Sequence, residues 1–219
     1  QFFVKEILNW FFVAKRDLPW RRTNDPYHIW VSEIMLQQTQ VVTVVPYFEK
    51  FVARFPDVET LAQASQDDVL LHWAGLGYYS RARNLHAGAQ KIVERGDFPR
   101  TREEWLEIPG VGNYTAGAIL SIALDQTEAI LDGNVERVLS RVRRVSRKQG
   151  DAAYKTRLWR LSWAFVRRGA ERGVRPSVLN QSLMELGARI CTPKKPLCAV
   201  CPLQVVCRAF QTGEQESYP

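Results

Sequence analysis

The sequence predicts an all-α protein. Apolar residues recur at helical spacing in nearly every segment, whereas the alternation of apolar and polar residues that is typical of strands is hard to find. Proline and glycine separate the helical segments, as at Pro56, Pro99 and Pro176. A chain of 219 residues is long enough for one large domain or two small ones.

The helical spacing predicts a series of helices along the chain. The first is marked by apolar positions such as Phe3, Ile7 and Phe11, and it ends before Leu18-Pro19. The predicted helices span residues 3–14, 30–37, 41–55, 58–64, 66–73, 80–95, 101–108, 114–124, 135–145, 155–166 and 178–191.

The charge balance favours an anionic partner. The formal net charge is +7 and the pI is about 9.4, which indicates nucleic acid ahead of a membrane surface. No apolar run approaches the roughly 18 residues of a bilayer span, and the N-terminus lacks a secretory signal pattern. An intracellular protein that makes no use of a membrane is therefore expected.

Basic residues are concentrated between Arg137 and Arg168. Four of them fall on one side of a predicted helix, at positions i, i+4, i+7 and i+11: Arg137, Arg141, Arg144 and Lys148. Such a stripe suits a phosphate backbone, although a merely solvated helix face would have the same composition.

The four cysteines lie close together near the C-terminus. Their spacing is C-x6-C-x2-C-x5-C, at Cys191, Cys198, Cys201 and Cys207. Disulfides are not expected in a chain without a secretory signal. Four thiolates in so short a segment indicate a metal site, and their chemistry fits either an iron–sulfur cluster or zinc.

The segment LEIPGVGNYTAGAIL, residues 106–120, predicts a helix, a glycine-rich turn and a second helix. Gly110 and Gly112 let backbone amides face outward, and the N-terminus of the second helix adds the positive end of its dipole, so a phosphate oxygen is the expected ligand. A plain αα-hairpin with glycine breakers is the alternative.

Two carboxylates stand out. Glu33 lies among Trp30, Ile34 and other apolar residues, so we expect dry surroundings, which raise the pKa of a carboxyl group and favour a proton donor; pairing with an arginine is the alternative. Asp132 precedes a predicted helix, where it would cap the N-terminus and stay ionised. One neutral acid and one anion form the pair that cleaves a glycosidic bond.

Together these features resemble the endonuclease III-like superfamily of helix-hairpin-helix DNA glycosylases, and within it the MutY-type adenine DNA glycosylases. The resemblance covers essentially the whole chain. Its motifs are LPWR (18–21), SEIMLQQTQ (32–40), GLGYYSRARNLH (75–86), PGVGNYTAGAI (109–119), LDGNV (131–135) and the cysteine spacing. The resemblance implies that the cysteines hold a [4Fe–4S] cluster.

The resemblance also implies roles for individual residues. Glu33 would protonate N7 of an extruded adenine, Asp132 would stabilise the positively charged sugar, and Asn134 would orient Asp132. Tyr114 occupies the position at which bifunctional relatives carry a lysine that forms a Schiff base, so base release without strand cleavage is expected.

Duplex DNA that contains a mismatched or oxidised base pair is the implied substrate, with adenine removed opposite 8-oxoguanine or guanine. Gln38 and Tyr78 would fill the space beside the orphaned partner base, while Tyr79 would pack internally. Arg81, Gly110 and Gly112 complete the expected DNA-binding residues.

The implied architecture has two helical domains with the active site in the cleft between them. Residues 22–127 would form a six-helix barrel with the helix-hairpin-helix, and residues 1–21 and 128–219 the iron–sulfur cluster domain. A monomer located with DNA, as in the bacterial cytoplasm or nucleoid, is expected. The adenine-specific relatives usually carry a further C-terminal domain resembling a Nudix hydrolase, so these residues would correspond to the catalytic region.

Two other functions remain open from the sequence. A mismatch thymine or uracil DNA glycosylase shares the hairpin tyrosine, the aspartate and the cluster, but it has less use for an acid directed at a purine N7. A non-catalytic DNA-binding protein that uses the iron–sulfur cluster would not need both Glu33 and Asp132.

Overall fold

The computed structural model describes residues 2–146 and 153–219, which contain twelve α-helices and no β-strand. The all-α prediction is therefore confirmed. The helices are α1 (Phe2–Ala14), α2 (Pro26–Leu36), α3 (Val41–Arg54), α4 (Val58–Gln63), α5 (Gln66–Trp73), α6 (Ser80–Arg95), α7 (Arg102–Leu106), α8 (Asn113–Ile122), α9 (Gly133–Arg143), α10 (Ala153–Ala170), α11 (Pro176–Arg189) and α12 (Arg208–Gln211). Among the described residues, none of these helices combines the length and apolar character that a membrane crossing requires.

The helix starts follow local capping chemistry. Helix α2 begins four residues before its predicted start, because Asp25 accepts a hydrogen bond from the Tyr27 amide at 2.8 Å and Pro26 occupies the first turn. Helix α7 begins with a capping box in which Thr101 and Glu104 exchange side-chain and backbone hydrogen bonds.

The chain divides into two compact units. We call Asp17–Leu124 the central unit, and Gln1–Arg16 with Asp125–Pro219 the terminal unit. The functional division expected from the resemblance, with boundaries after residues 21 and 127, stays a prediction.

Helix α2 is the centre of the core of the central unit. Eight of its eleven residues are buried, and it packs against α3, α6 and α8. Its buried residues include Trp30, whose ring meets that of Trp105 edge-on at 5.8 Å between centroids. A helix that is apolar on nearly every side is stable only inside a core, so α2 is a rigid support for whatever polar group it carries.

The terminal unit is built around α9 and α11, with α1 packed on α11. Arg16, just beyond α1, donates through Nε and Nη2 to the fully buried Glu185 of α11 at 2.8 and 2.9 Å. This bidentate pair neutralises the buried carboxylate and fixes α1 against α11.

Candidate active site

Glu33 is buried in the central unit and is hydrogen-bonded to a tyrosine. Its side chain lies on α2, the residue is 4% exposed, and its Oε2 accepts a hydrogen bond from the Tyr114 hydroxyl at 2.7 Å. Tyr114 is the second residue of α8, which packs on α2, and the residues that follow it in α8 are all buried. Thr115, Ala116, Gly117 and Ala118 are small, which favours close packing of α8 in the core.

Asp132 lies in the terminal unit as the N-cap of α9, as predicted. Its Oδ1 accepts from the Val135 amide at 2.7 Å, and its Oδ2 accepts from the Asn134 side-chain amide at 2.8 Å. Both carboxylate oxygens are thus oriented by residues of the same helical turn. The expected contact of Asn134 with this carboxylate is present.

Burial opposes the expected ionisation of Asp132. Burial raises the pKa of Asp132 above the ordinary aspartate value, although the hydrogen bonds from Val135 and Asn134 and the charge of Arg137 act in the opposite direction. Desolvation therefore outweighs the helix N-terminus that the sequence analysis relied on. The anionic form of this group is destabilised in the free protein.

Asn134 is itself held in place. Its Oδ1 accepts from Arg137 Nη2 at 2.8 Å, and the backbone of α11 passes so close that a Cβ atom on Gly187 would lie 2.6 Å from the Asn134 Cβ. Arg137 also donates to the carbonyls of Cys191 and Gly187, at 2.6 and 2.8 Å. The Asn134 amide is consequently fixed on the side opposite Asp132.

The prediction of an exposed basic stripe is wrong for Arg137 and Arg141. Both are buried, and Arg141 donates to the carbonyls of Thr192 and Pro193 at 2.7 and 3.0 Å. The acceptors lie in the last turn of α11 and in the segment after it, where backbone carbonyls have no intrahelical donor, and these guanidinium groups satisfy them. Arg144 is exposed and paired with Glu214, while Lys148 lies outside the described residues.

The four cysteines line one cavity of the terminal unit. Its remaining walls are mostly apolar, and Arg141 Nη1 lies 3.5 Å from the Cys191 sulfur. Burial raises the pKa values of Cys191 and Cys198 and brings that of Cys201 to about 12. Across residues 2–146 and 153–219, no group of three or more His, Cys, Asp and Glu side chains is arranged to hold a metal ion.

Gln38 and Tyr78 lie on a second cavity, within the central unit. The cavity is also lined by Asn84 and Gly110, among others. Both Gln38 and Tyr78 are exposed, and both have a left-handed backbone, with φ of +58° and +48°. A non-glycine residue in this conformation costs about 1–3 kcal/mol and persists only where its surroundings hold it. Tyr79, expected to pack internally, is 42% exposed.

Arg81 is buried and lines the same cavity, and its expected role as a DNA contact stays a prediction. The residue is 8% exposed, and its guanidinium donates to the carbonyls of Ile34 and Met35 at 3.0 and 2.9 Å. The last carbonyls of α2 have no intrahelical donor, and a buried cation satisfies them.

The helix, turn and helix predicted around Gly110 and Gly112 are present as α7 and α8. Gly110 has φ of +78°, and a Cβ atom there would lie 2.9 Å from the Asn84 Cβ. Gly112 is the N-cap of α8, and a Cβ there would meet nothing within 4 Å. Only Gly110 is therefore required by the geometry of the turn itself.

The structure thus assembles two groups in the central unit, Glu33 with Tyr114 and Gln38 with Tyr78. In the terminal unit it assembles Asp132 with Asn134, and the four cysteines. Sequence reasoning missed Arg137 as the support of Asn134 and Asn84 as a wall of the second cavity. Asn84 stands within the GLGYYSRARNLH motif, which was the available signal.

The chain is similar to proteins of known function. A family model described as HhH-GPD superfamily base excision DNA repair protein matches residues 31–162. The chain is 47% identical over 225 residues to the adenine DNA glycosylase of Homo sapiens, covering 98% of this chain and 40% of that protein. It is 40% identical over 223 residues to the adenine DNA glycosylase of Buchnera aphidicola subsp. Schizaphis graminum, covering 99% of this chain and 62% of that protein.

The chain therefore spans about 40% to 60% of the length of these curated relatives. Among solved structures, a thermostable thymine-DNA glycosylase is similar with a TM-score of 0.81 and 29% identity, covering 96% of this chain and 95% of that one. A non-covalent endonuclease III–DNA complex has a TM-score of 0.75 at 19% identity, covering 97% and 95%, and shares the fold. With more than half of its length matched by the family model, the chain belongs to the HhH-GPD superfamily of base excision DNA repair proteins.

Proposed function

We propose that this protein is a DNA glycosylase that removes adenine mispaired with guanine or 8-oxoguanine. The observation that carries the proposal is the similarity to adenine DNA glycosylases across 98% of the chain. The buried Glu33 with its tyrosine partner, and the capping Asp132, supply the two carboxyl groups that the reaction needs.

In the proposed reaction, the protonated Glu33 carboxyl donates its proton to N7 of the adenine. The bond between C1′ and N9 then breaks, and its electron pair leaves with the base. The positive charge that develops on the sugar is stabilised by the Asp132 carboxylate. A water molecule adds to C1′ and loses a proton, which restores Glu33 and leaves an abasic site.

The desolvated state of Asp132 fits this role. Because burial raises the pKa of Asp132, its anion is poorly stabilised until a positive charge appears beside it. An interaction that strengthens only as the reaction proceeds lowers the barrier without tightening substrate binding. Asn134, fixed by Arg137, keeps the carboxylate oriented meanwhile.

Adenine, rather than thymine, is the base that we expect this protein to release. The test is a single-turnover assay on three duplexes that hold adenine opposite 8-oxoguanine, adenine opposite guanine and thymine opposite guanine. We expect cleavage at the two adenine pairs and none at thymine. Release of thymine would contradict the proposal and favour the activity named for the similar thymine-DNA glycosylase.

The residue that lies beside Glu33 is a tyrosine, Tyr114, and not a lysine. We therefore propose base release without strand cleavage. A tyrosine hydroxyl cannot form the Schiff base that links a lysine to the sugar. In the same assay, borohydride trapping should yield no covalent protein–DNA product above the background of a duplex without a mismatch.

We propose that the four cysteines hold a [4Fe–4S] cluster. The donor set fits: four thiols line one mostly apolar cavity, and a cation, Arg141, lies beside the first of them. Coordination would favour the thiolate form that burial otherwise disfavours. When bound, the cluster would serve as the framework on which the loop between α11 and α12 folds, as a metal does in small domains with little core.

Replacing Cys201 by serine should therefore release iron. We expect the purified protein to be brown, with about four iron and four sulfide ions per chain, and the Cys201→Ser protein to lose most of both. The matched control is Val200→Ser, a substitution at the neighbouring residue, which is 66% exposed. A colourless wild-type protein containing zinc would refute the cluster.

The proposed partner is duplex DNA, bound by a monomer within the cell. We propose that Gln38 and Tyr78 enter the duplex beside the partner base, since both are exposed and share a cavity. The amides at Gly110 and Gly112, at the start of α8, are proposed to bind a backbone phosphate. The +7 net charge supports an anionic partner, and binding should weaken with salt.

A further inference from the structure

Arg81 connects the two loops that carry Gln38 and Tyr78. On the first loop its guanidinium donates to the Gln37 carbonyl and to Thr39 Oγ1, the latter at 3.1 Å, so its contacts lie on both sides of Gln38. Together with the bonds to the end of α2, these contacts fix the backbone from residue 34 to residue 39. The exposed Gln38 side chain is thus displayed from an immobilised loop.

The second loop accepts hydrogen bonds from Nη2, one of the two terminal nitrogens of the Arg81 guanidinium. Arg81 Nη2 donates to the carbonyls of Leu76 and Gly77 at 3.3 and 3.2 Å, immediately before Tyr78. The Arg81 backbone amide donates to the Tyr78 carbonyl at 2.9 Å, and the guanidinium carbon lies 5.3 Å from the centre of the Tyr78 ring. Tyr78 is therefore held through its preceding carbonyls, its own carbonyl and its ring.

The two residues so held are both in the left-handed region of backbone space. In residues 2–146 and 153–219 only five non-glycine residues have a positive φ, and Gln38 and Tyr78 are two of them. Left alone, each would relax to an extended or helical backbone, which would redirect its side chain. A single buried cation restrains both.

We propose that Arg81 is a positioning residue that sets Gln38 and Tyr78 as one preformed wedge for entry into the duplex. The proposal rests on the proposed function and adds to it the side chain that fixes the wedge before DNA arrives. A preformed wedge loses less conformational freedom on binding than two mobile side chains, and it therefore helps to separate the bases.

Lysine cannot replace arginine in this role. The planar guanidinium carries donors on two terminal nitrogens in a fixed fork, and here one nitrogen serves the first loop while the other reaches both. An ammonium group has its donors on a single nitrogen and cannot span the same set of oxygens. Arg81→Lys thus keeps the charge but removes the connection.

The test compares Arg81→Lys with wild type in two measurements. Hydrogen exchange on the free protein should be faster in the variant at residues 36–40 and 76–80, with the core of α8 unchanged. Adenine release from a duplex with 8-oxoguanine opposite should fall by about tenfold or more, because a small misplacement of a positioned group has effects of this size. Release from a duplex with an abasic analogue opposite, where there is no partner base to support, should fall by less than about threefold.

The control is Arg83→Lys, which changes an exposed arginine two residues further along α6 and should leave both measurements at wild-type values. Unchanged exchange in the two segments of Arg81→Lys, or an equal loss of activity on both duplexes, would overturn the proposal. If the wild-type protein releases no adenine at all, the proposed function fails, and the exchange measurement alone then decides whether Arg81 positions the two loops.

Discussion

Replacing Glu33 by glutamine is expected to lower the single-turnover rate of adenine release by about 10²–10⁴-fold, the range that general acid catalysis supplies. Glutamine has nearly the same shape, and its amide oxygen can still accept the hydrogen bond from the Tyr114 hydroxyl. The variant should therefore fold and bind duplex DNA as the wild type does. It lacks only a proton that it can deliver to N7.

Two further variants distinguish the loss of the acid itself from changes in its surroundings or elsewhere in the protein. Tyr114→Phe removes the hydrogen bond to Glu33 Oε2 but keeps the acid, and we expect a smaller loss of about tenfold. Glu59→Gln, at an exposed position of α4, should have no effect and controls for the same substitution outside the site. Undiminished release by Glu33→Gln would remove Glu33 from the mechanism, whatever the other two variants do.

Asp132→Asn is expected to lower the activity and to raise the stability of the folded protein. Adenine release should fall by about 10²–10³-fold, because the neutral amide cannot stabilise a developing positive charge. The folded protein should become more stable, with a thermal unfolding midpoint a few degrees higher. Asparagine is as good an N-cap as aspartate, and it has no anionic form to desolvate. We expect this gain to exceed the loss of the hydrogen bond from Asn134 Nδ2, which asparagine, with a single acceptor oxygen, cannot accept in addition to that from the Val135 amide.

The stability gain should depend on pH in a definite direction. Since burial raises the pKa of Asp132 in the folded chain, the folded state holds this proton more tightly than the unfolded state does. The contribution of Asp132 to the free energy of unfolding therefore falls as pH rises from the unfolded pKa, about 3.9, through the folded value. The advantage of Asp132→Asn should accordingly be largest at neutral pH and shrink as the pH is lowered, which denaturant unfolding at several pH values will measure.

Asp57 provides a matched comparison, because it is also an N-cap aspartate but is exposed. Its hydrogen bonds from Thr60 lower the pKa of Asp57, so its stabilising contribution is present above the unfolded pKa and is lost on acidification. Asp57→Asn should therefore slightly destabilise the protein at neutral pH. A destabilised Asp132→Asn protein, or one with the same pH trend as Asp57→Asn, would show that Asp132 is not a desolvated group.

The helices were predictable because apolar periodicity and caps are local. The prediction for residues 80–95 coincides with α6, and that for residues 66–73 coincides with α5. Helix α2 was predicted too short, since the start set by Asp25 and Pro26 precedes its apolar run. The placement of Glu33 in a buried helix followed from the same pattern, because almost every neighbour along the helix is apolar.

The arginines were predicted poorly for a physical reason. Helical spacing places Arg137 and Arg141 on one side of α9, but it does not say whether that side meets solvent or unsatisfied carbonyls. The same holds for Arg81, whose acceptors at the end of α2 and on the first loop lie some 40 residues earlier in the chain. Donors and acceptors that are far apart in sequence leave no periodic signal, and a left-handed backbone at a glutamine or tyrosine leaves none either.

The hydroxyl that holds Glu33 belongs to the helix that begins at the glycine turn, only two residues beyond Gly112. If the protein has the proposed function, the turn binds a backbone phosphate. A shift of the turn would then also shift the Tyr114 hydroxyl, and with it the Glu33 carboxyl group that donates the proton. Seating of the sugar–phosphate chain would thereby help to aim the acid, by no more than the roughly tenfold effect expected for loss of the Tyr114 hydroxyl.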